Sequence, residues 1–133
     1  GSIIRAFFMP KAKPKAKALE LRYFKLSEFD CQETGENLMV PEFLLMLDAL
    51  RHECGFGFTI TSGYRSPNHS IESVKAKPGT HAQGIAADIA TTDAAQRFII
   101  ISNAVKLNFT GLGIARSFIH VDSRQTTPRV WSY

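Results

Sequence analysis

The sequence has few cysteines and no long apolar run, and each shortage argues against a class of protein. Its two cysteines, Cys31 and Cys54, form no CxxC pair, which argues against a zinc site built from thiolates. The most apolar stretch, residues 98–101, is too short to cross a bilayer, so we expect no membrane span. No signal-peptide pattern is visible, and the sequence does not indicate a cellular compartment. The 133 residues are 44% hydrophobic, which suits one packed domain.

Positive charge is concentrated near the start of the chain. The formal net charge is +4, and four of the 16 Lys and Arg residues lie between residues 11 and 17, on both sides of Pro14. We therefore predict a basic Lys/Pro/Ala-rich arm or linker at residues 1–20 and one folded domain at residues 21–133. A basic chain favours an anionic partner such as a cell envelope. No aromatic residues alternate with these lysines as in single-strand binders, so we expect no nucleic-acid partner, and we expect a monomer.

Apolar periodicity predicts two long helices. The first begins at Pro41 and ends at Gly55. Its apolar stripe contains Phe43, Leu47, Leu50 and Cys54. The second follows a cap at Thr92 or Asp93. Its predicted stripe contains Phe98, Ile101 and Val105.

The remaining segments predict a short helix and several strands. Residues 27–30 have the form of a capping box that opens a short helix. Residues 58–61 and 84–90 read as strands, while Gly111 and Gly113 mark a turn into a last strand pair. That pair is predicted at 118–122 and 129–133. Because helices and strands do not alternate regularly, we predict an α+β fold with a small antiparallel sheet packed with helices.

Three polar residues fall where a small core has no packing use for them. Asp88 lies in an apolar strand, where an unpartnered carboxylate is costly to bury, and a bound cation is the simplest relief. His81 precedes it, and His120 lies in the strand at 118–122. Two imidazoles and one carboxylate leave a position open for water, as catalytic zinc sites do. Gly84 lets the chain turn close to such a metal.

Two imidazoles and one carboxylate also form the facial triad of iron(II) oxygenases. That triad normally lies in a double-sheet β barrel, and the two predicted helices argue against that fold.

Three motifs together resemble a known family. They are SGYRSP at 62–67, HAQGIAADI at 81–89 and FIHVD at 118–122. In this order they resemble the zinc D-Ala-D-Ala carboxypeptidase family, which includes phage and bacterial endopeptidases that act on peptidoglycan stem peptides. The segments YFKLSEFDC at 23–31 and WSY at 131–133 resemble its small phage-associated members. The resemblance implies the α+β zinc-peptidase fold shared with the hedgehog signalling domain.

The resemblance also implies roles for single residues. It assigns His81, Asp88 and His120 to zinc. It makes Arg65 a catalytic and substrate-binding cation, whose guanidinium fork suits a developing oxyanion or a carboxylate. Ser62 and His69 fall within the same motif region and are predicted as further substrate-binding residues. The implied substrate is a peptidoglycan stem peptide, cleaved by a phage lysin or by a bacterial wall-remodelling enzyme.

One position departs from the family pattern. Many relatives carry an acidic general base three residues before the last histidine ligand, where this chain has Ser117. Asp122 is the nearest acidic substitute, because alternation along a strand places it on the same face as His120. It is predicted either as the catalytic base or as a partner that orients a ligand. The loss of the usual base also leaves open a non-catalytic, zinc-stabilised cell-wall-binding module.

Overall fold

A computed structural model describes residues 19–133 as two helices and one five-stranded sheet. The helices are α1 (Pro41–Cys54) and α2 (Ala94–Lys106). The strands are β1 (Thr59–Ser62), β2 (Ala86–Ala90), β3 (Gly111–Ile114), β4 (Phe118–Asp122) and β5 (Arg129–Ser132), and two 3₁₀ turns span Leu26–Phe29 and Glu72–Val74. Most of the predicted basic arm, residues 1–18, lies outside the described residues. None of the described helices is long and apolar enough to cross a membrane.

The sheet has the strand order β1-β2-β4-β3-β5. Every neighbouring pair is antiparallel except β3 and β5, which run parallel. The predicted α+β class is confirmed, but the sheet is mixed rather than wholly antiparallel. The prediction that β4 and β5 pair with each other was wrong, because β3 lies between them. Strand β3 was not predicted, because its two glycines are typical of a turn.

One face of the sheet packs against the helices. Ile89 of β2 lies opposite Ile119 of β4, and Val121 of β4 lies opposite Leu112 of β3. These side chains join one core with the fully buried residues of α1, which are Phe43, Leu44, Leu47 and Leu50. Burial of each such side chain contributes roughly 1.5–3 kcal/mol. Because side chains alternate along a strand, the intervening residues of β2 and β4 point to the opposite face.

Helix α1 confirms the predicted boundaries. Pro41 occupies its first turn, where the missing N–H costs nothing. Gly55 ends it in the left-handed region at φ +78°, and its N–H donates to Arg51. Cys54, predicted as part of the buried stripe, is only half-buried, and Cys31 is buried. Both are free thiols.

Helix α2 begins as predicted but presents a different face to the core. The Asp93 carboxylate accepts a hydrogen bond from the backbone N–H of Gln96 at 2.9 Å, which confirms the cap. The predicted stripe was wrong, because Phe98 is 72% exposed and Val105 60% exposed. Ile100 and Ala104 are fully buried instead. The run of four apolar residues at 98–101 covers the whole helix circumference, so residue type alone does not select the buried side.

The predicted capping box is displaced. The first 3₁₀ turn begins at Leu26, so Ser27 lies inside it rather than at its cap. The Glu28 carboxylate accepts from the backbone N–H of Lys25 at 2.8 Å. Glu28 therefore does the expected capping, but for a turn that starts earlier.

Candidate metal centre

One row of residues crosses the sheet on the face away from the helices. Its members pair in register, from Ser62 on β1 through Asp88, His120 and Gly113 to Trp131 on β5. Strand pairing thus brings together residues that lie far apart in the sequence. The row places a carboxylate directly beside an imidazole near the middle of the sheet.

The structure brings His81 next to Asp88 and His120 of this row. One ligand atom from each lies within 4.8 Å of the others, and all three residues are buried. Asp88 Oδ1 lies 3.3 Å from His81 Nε2 and 3.0 Å from His120 Nδ1. His81 comes from the turn before β2, whereas the other two come from adjacent strands. Two nitrogens and one oxygen facing a common point can hold a metal ion.

The second nitrogen of each imidazole has its own acceptor. His81 Nδ1 lies 2.8 Å from the carbonyl oxygen of Gly63, which can only accept, so this nitrogen carries the proton. His120 Nε2 lies 2.7 Å from Asp122 Oδ2 and donates to that carboxylate. In the neutral rings, His81 Nε2 and His120 Nδ1 therefore keep their lone pairs toward Asp88. Such outer partners fix the tautomer that a metal requires.

The charges of the cluster also favour a cation. Burial raises the pKa of Asp88, but hydrogen bonds from His120 and His81 outweigh it and lower this pKa to about 2. Burial lowers the pKa of His120, but its hydrogen bonds to Asp122 and Asp88 raise this pKa overall. Asp88 is therefore ionised at neutral pH. The raised pKa of His120 favours its protonated form beside this charge in the metal-free protein, and a bound metal ion would replace the proton.

Asp122 lies on the far side of the His120 ring from Asp88. Its side chain is fully buried and lies within hydrogen-bond distance of His120 Nε2, while Asp88 lies within hydrogen-bond distance of His120 Nδ1. Arg124 binds both of its oxygens, from Nε to Oδ1 at 2.9 Å and from Nη2 to Oδ2 at 2.7 Å. The backbone N–H of Arg124 also donates to Oδ1. This geometry favours the orienting role for Asp122 over that of a base for a water on the metal side.

Two glycines of β3 make room for this arrangement. A side chain at Gly111 would overlap the Asp122 carboxylate. A Cβ at Gly113 would lie 2.9 Å from the indole nitrogen of Trp131, whose ring centroid is 5.4 Å from that of His120. The Gly-x-Gly spacing is thus a strand feature, and the two glycines were wrongly interpreted as turn residues.

The cluster opens into a cleft of about 490 Å³. Cationic and aromatic side chains contribute to its lining, namely Arg65, Lys75, Arg124, Phe118, Trp131 and Tyr133. Lys75 pairs with the buried carboxylate of Glu72 at 2.7 Å, and Arg124 pairs with Asp122. Among residues 19–133, the Arg65 guanidinium has no such partner. Among the described residues of the lining, it is the cation left free to bind a negatively charged group of a ligand.

Two other predicted substrate-binding residues do not line this cleft. Ser62 lies opposite Asp88 on β1 but is not part of the lining. His69 Nδ1 accepts from the backbone N–H of Ile71 at 3.0 Å, and its Nε2 lies 3.3 Å from a carboxylate oxygen of Glu33. Both ring nitrogens are therefore engaged away from the metal cluster.

The residue at the expected position of the general base is Ser117, which is not acidic. Ser117 is exposed in the turn before β4, and its carbonyl oxygen accepts from the Thr91 N–H. Within the described chain, Asp88 is the only carboxylate residue that lines the cleft. A second cleft of about 400 Å³, between α2 and β5, is lined by no His, Cys, Asp or Glu.

The geometry can be compared with known families. A family model described as Peptidase M15 matches residues 22–122, most of the chain. The chain belongs to the M15 peptidase family. M15 peptidases are metal-dependent, and the match includes all three residues of the cluster. Among curated proteins, no match to the chain was found.

Membership in the M15 family agrees with the single mixed sheet and its two helices. A double-sheet barrel, which the oxygenase alternative needs, is not the architecture of residues 19–133. No role was predicted for Arg124, although the Asp122-x-Arg124 spacing places two side chains on one side of an extended chain. Trp131 and Tyr133 line the cleft beside the metal cluster, but they lie beyond the residues that the family model matches.

Proposed function

We propose that this chain is a zinc metallopeptidase that hydrolyses an amide bond in peptidoglycan stem peptides, as a phage lysin or a bacterial wall-remodelling enzyme. The observation that carries the proposal is the buried group of His81, Asp88 and His120, with ligand atoms within 4.8 Å, at the floor of a cleft. Three protein ligands suit a catalytic zinc, which keeps a further position for water or substrate. The M15 match supports peptidase chemistry.

The chain's own residues would prepare this chemistry. Zinc, when bound, polarises a carbonyl and makes water more acidic. Gly63 and Asp122 hold the two imidazoles in the tautomers that leave a lone pair for the metal. The Arg65 guanidinium, which has no ion-pair partner among the described residues, would bind the substrate oxygen that becomes negatively charged, or a substrate carboxylate. The basic chain favours approach to an anionic envelope.

A second candidate is a zinc-stabilised cell-wall-binding module without catalysis. It is favoured by the absence, among the described residues, of a cleft carboxylate other than Asp88, together with Ser117 at the usual base position. A binding module would use the same three ligands and the same cleft cation. The two candidates differ in whether a bond is broken.

Digestion of purified peptidoglycan distinguishes them. The protein is freed of metal with a chelator and assayed with and without added zinc, and released fragments are identified by mass spectrometry. We expect zinc-dependent fragments whose masses identify the amide bond that is cut. Zinc-loaded protein that pellets with peptidoglycan but leaves its composition unchanged would select the binding module.

Asp122→Asn tests the orienting role that we propose for this residue. Asparagine keeps the shape but accepts weakly from His120, so zinc affinity should fall by roughly ten- to a hundredfold. Zinc affinity, by competition with a coloured chelator, and turnover at saturating zinc are measured on one preparation. Asp93→Asn is the matched control, because asparagine also caps a helix and Asp93 lies outside the cleft lining. A fall in turnover of about a hundredfold with unchanged zinc affinity would instead make Asp122 the base.

A further inference from the structure

Arg124 occupies a place between Asp122 and Trp131 that the metal ligands do not explain. Its guanidinium binds both oxygens of the Asp122 carboxylate, at 2.9 and 2.7 Å. Its central carbon also lies 4.8 Å from the centre of the Trp131 ring. A planar fork that binds a carboxylate along one edge and stacks on an aromatic face is held in one orientation.

Trp131 links Arg124 to the metal cluster. Its ring centroid lies 5.4 Å from that of His120, so the indole contacts both the ligand and the arginine that holds the ligand's partner. The indole reaches this position because Gly113, its neighbour in the parallel β3–β5 pair, has no side chain. Arg124, Asp122, His120 and Trp131 thus form a closed ring of contacts.

We propose that Arg124 is a positioning residue, which acts through Asp122 and against Trp131 to hold the His120 imidazole in the orientation that binds the metal. This inference rests on the proposed metal site. Without the bidentate pair, only the backbone N–H of Arg124 and His120 itself hold the Asp122 carboxylate among the described residues, so its plane is less firmly fixed. Its hydrogen bond to His120 Nε2 then no longer fixes the plane of the ring.

Charge and orientation predict opposite effects when Arg124 is removed. A positive side chain near a divalent cation repels it, so the loss of charge alone should tighten metal binding. Loss of orientation should weaken it. The sign of the change in zinc affinity for Arg124→Gln therefore separates the two explanations without reference to enzyme activity.

The experiment measures the zinc dissociation constant by chelator competition and the visible spectrum of the cobalt-substituted protein. We expect Arg124→Gln to weaken zinc binding by about tenfold or more and to change the cobalt bands. Arg124→Lys keeps the charge but loses the fork, and we expect weakening of about tenfold. Arg116→Gln removes the same charge from an exposed turn and should stay within about twofold. Unchanged or tighter binding by Arg124→Gln, with unchanged cobalt bands, would overturn the proposal.

A double-mutant cycle tests whether Arg124 acts through Asp122. In an Asp122→Asn background, adding Arg124→Gln should weaken zinc binding by less than about twofold, because the link is already lost. Full additivity of the two effects would overturn the proposal. If Arg124→Gln does not fold, Trp131→Leu on the half-exposed edge strand takes its place, with an expected weakening of about fivefold and altered cobalt bands. Trp131→Leu with wild-type affinity and bands would then overturn it.

Zinc binding by the unmodified protein distinguishes a failure of this proposal from a failure of the proposed metal site. If the unmodified protein binds no zinc, the metal assignment itself fails. If it binds zinc and the Arg124 variants bind equally well, the metal assignment stands and the positioning role fails.

Discussion

Replacing Asp88 with asparagine should abolish tight zinc binding and lower peptidase turnover by about a thousandfold or more, since metal assistance is worth several kcal/mol. The variant keeps the size of the side chain but removes its charge. Asp88 Oδ1 is the oxygen that both histidines face, at 3.3 and 3.0 Å, and the residue is 6% exposed. Water therefore cannot easily replace the lost ligand. Metal content by elemental analysis and turnover on peptidoglycan are measured on the same sample.

The same variant makes a further test possible in the metal-free protein. Hydrogen bonds from the histidines, which outweigh burial, lower the folded-state pKa of Asp88 to about 2. A lowered carboxylate pKa contributes stability above the ordinary unfolded value near 4, and this contribution is lost as the pH falls toward 2. The difference in unfolding free energy between wild type and Asp88→Asn should therefore shrink from pH 5 to pH 2. A difference that does not change with pH, or zinc content equal to wild type, would contradict the placement of Asp88 in the cluster.

Gly84→Ala should lower the free energy of unfolding by about 3 kcal/mol. Gly84 has a φ of +76°, which costs an alanine roughly 1–2 kcal/mol. Its new Cβ would also overlap the backbone carbonyl oxygen of Leu38, and forced overpacking costs roughly 1–3 kcal/mol. The backbone cannot move away easily, because the Gly84 carbonyl accepts from the Val40 N–H at 2.9 Å. Denaturant unfolding of the metal-free protein measures the change.

Gly35→Ala is the matched control for this prediction. Gly35 has nearly the same φ, +80°, but nothing lies within 4 Å of the position where its Cβ would be. It should therefore lose about 1 kcal/mol, the backbone cost alone. The difference between the two variants isolates the contact that brings the turn between His81 and β2 against residues 38–40. Equal losses at both glycines would show that this contact does not constrain the turn.

The local sequence was sufficient to predict several elements. Strand β4 was predicted at 118–122 and is confirmed there, because alternating polar and apolar residues fix which side of a strand faces the core. The boundaries of α1 followed from Pro41 and Gly55, which act through their own backbone angles. The residues of the His81, Asp88 and His120 cluster also stood out, because a carboxylate such as Asp88 in an apolar strand needs a partner.

Other features depended on residues far away in the sequence. The buried side of α2 was predicted wrongly, since four successive apolar residues leave the choice to the surfaces that pack against the helix. Strand β3 was missed because the role of Gly111 and Gly113 depends on side chains of the neighbouring strands. Each glycine makes room for a side chain on the strand beside it, which no local pattern reveals.

The sequence by itself determined that two histidines and one aspartate are candidate metal ligands and that His120 and Asp122 share one face of a strand. Only the tertiary structure decided how they are connected. Asp122 was a candidate base from its spacing, and its burial between His120 and Arg124 favours an orienting partner. The physical reason is that strand periodicity specifies a face, whereas the hydrogen-bond partner of each atom depends on the register between strands and on which neighbouring side chains fill the space around it.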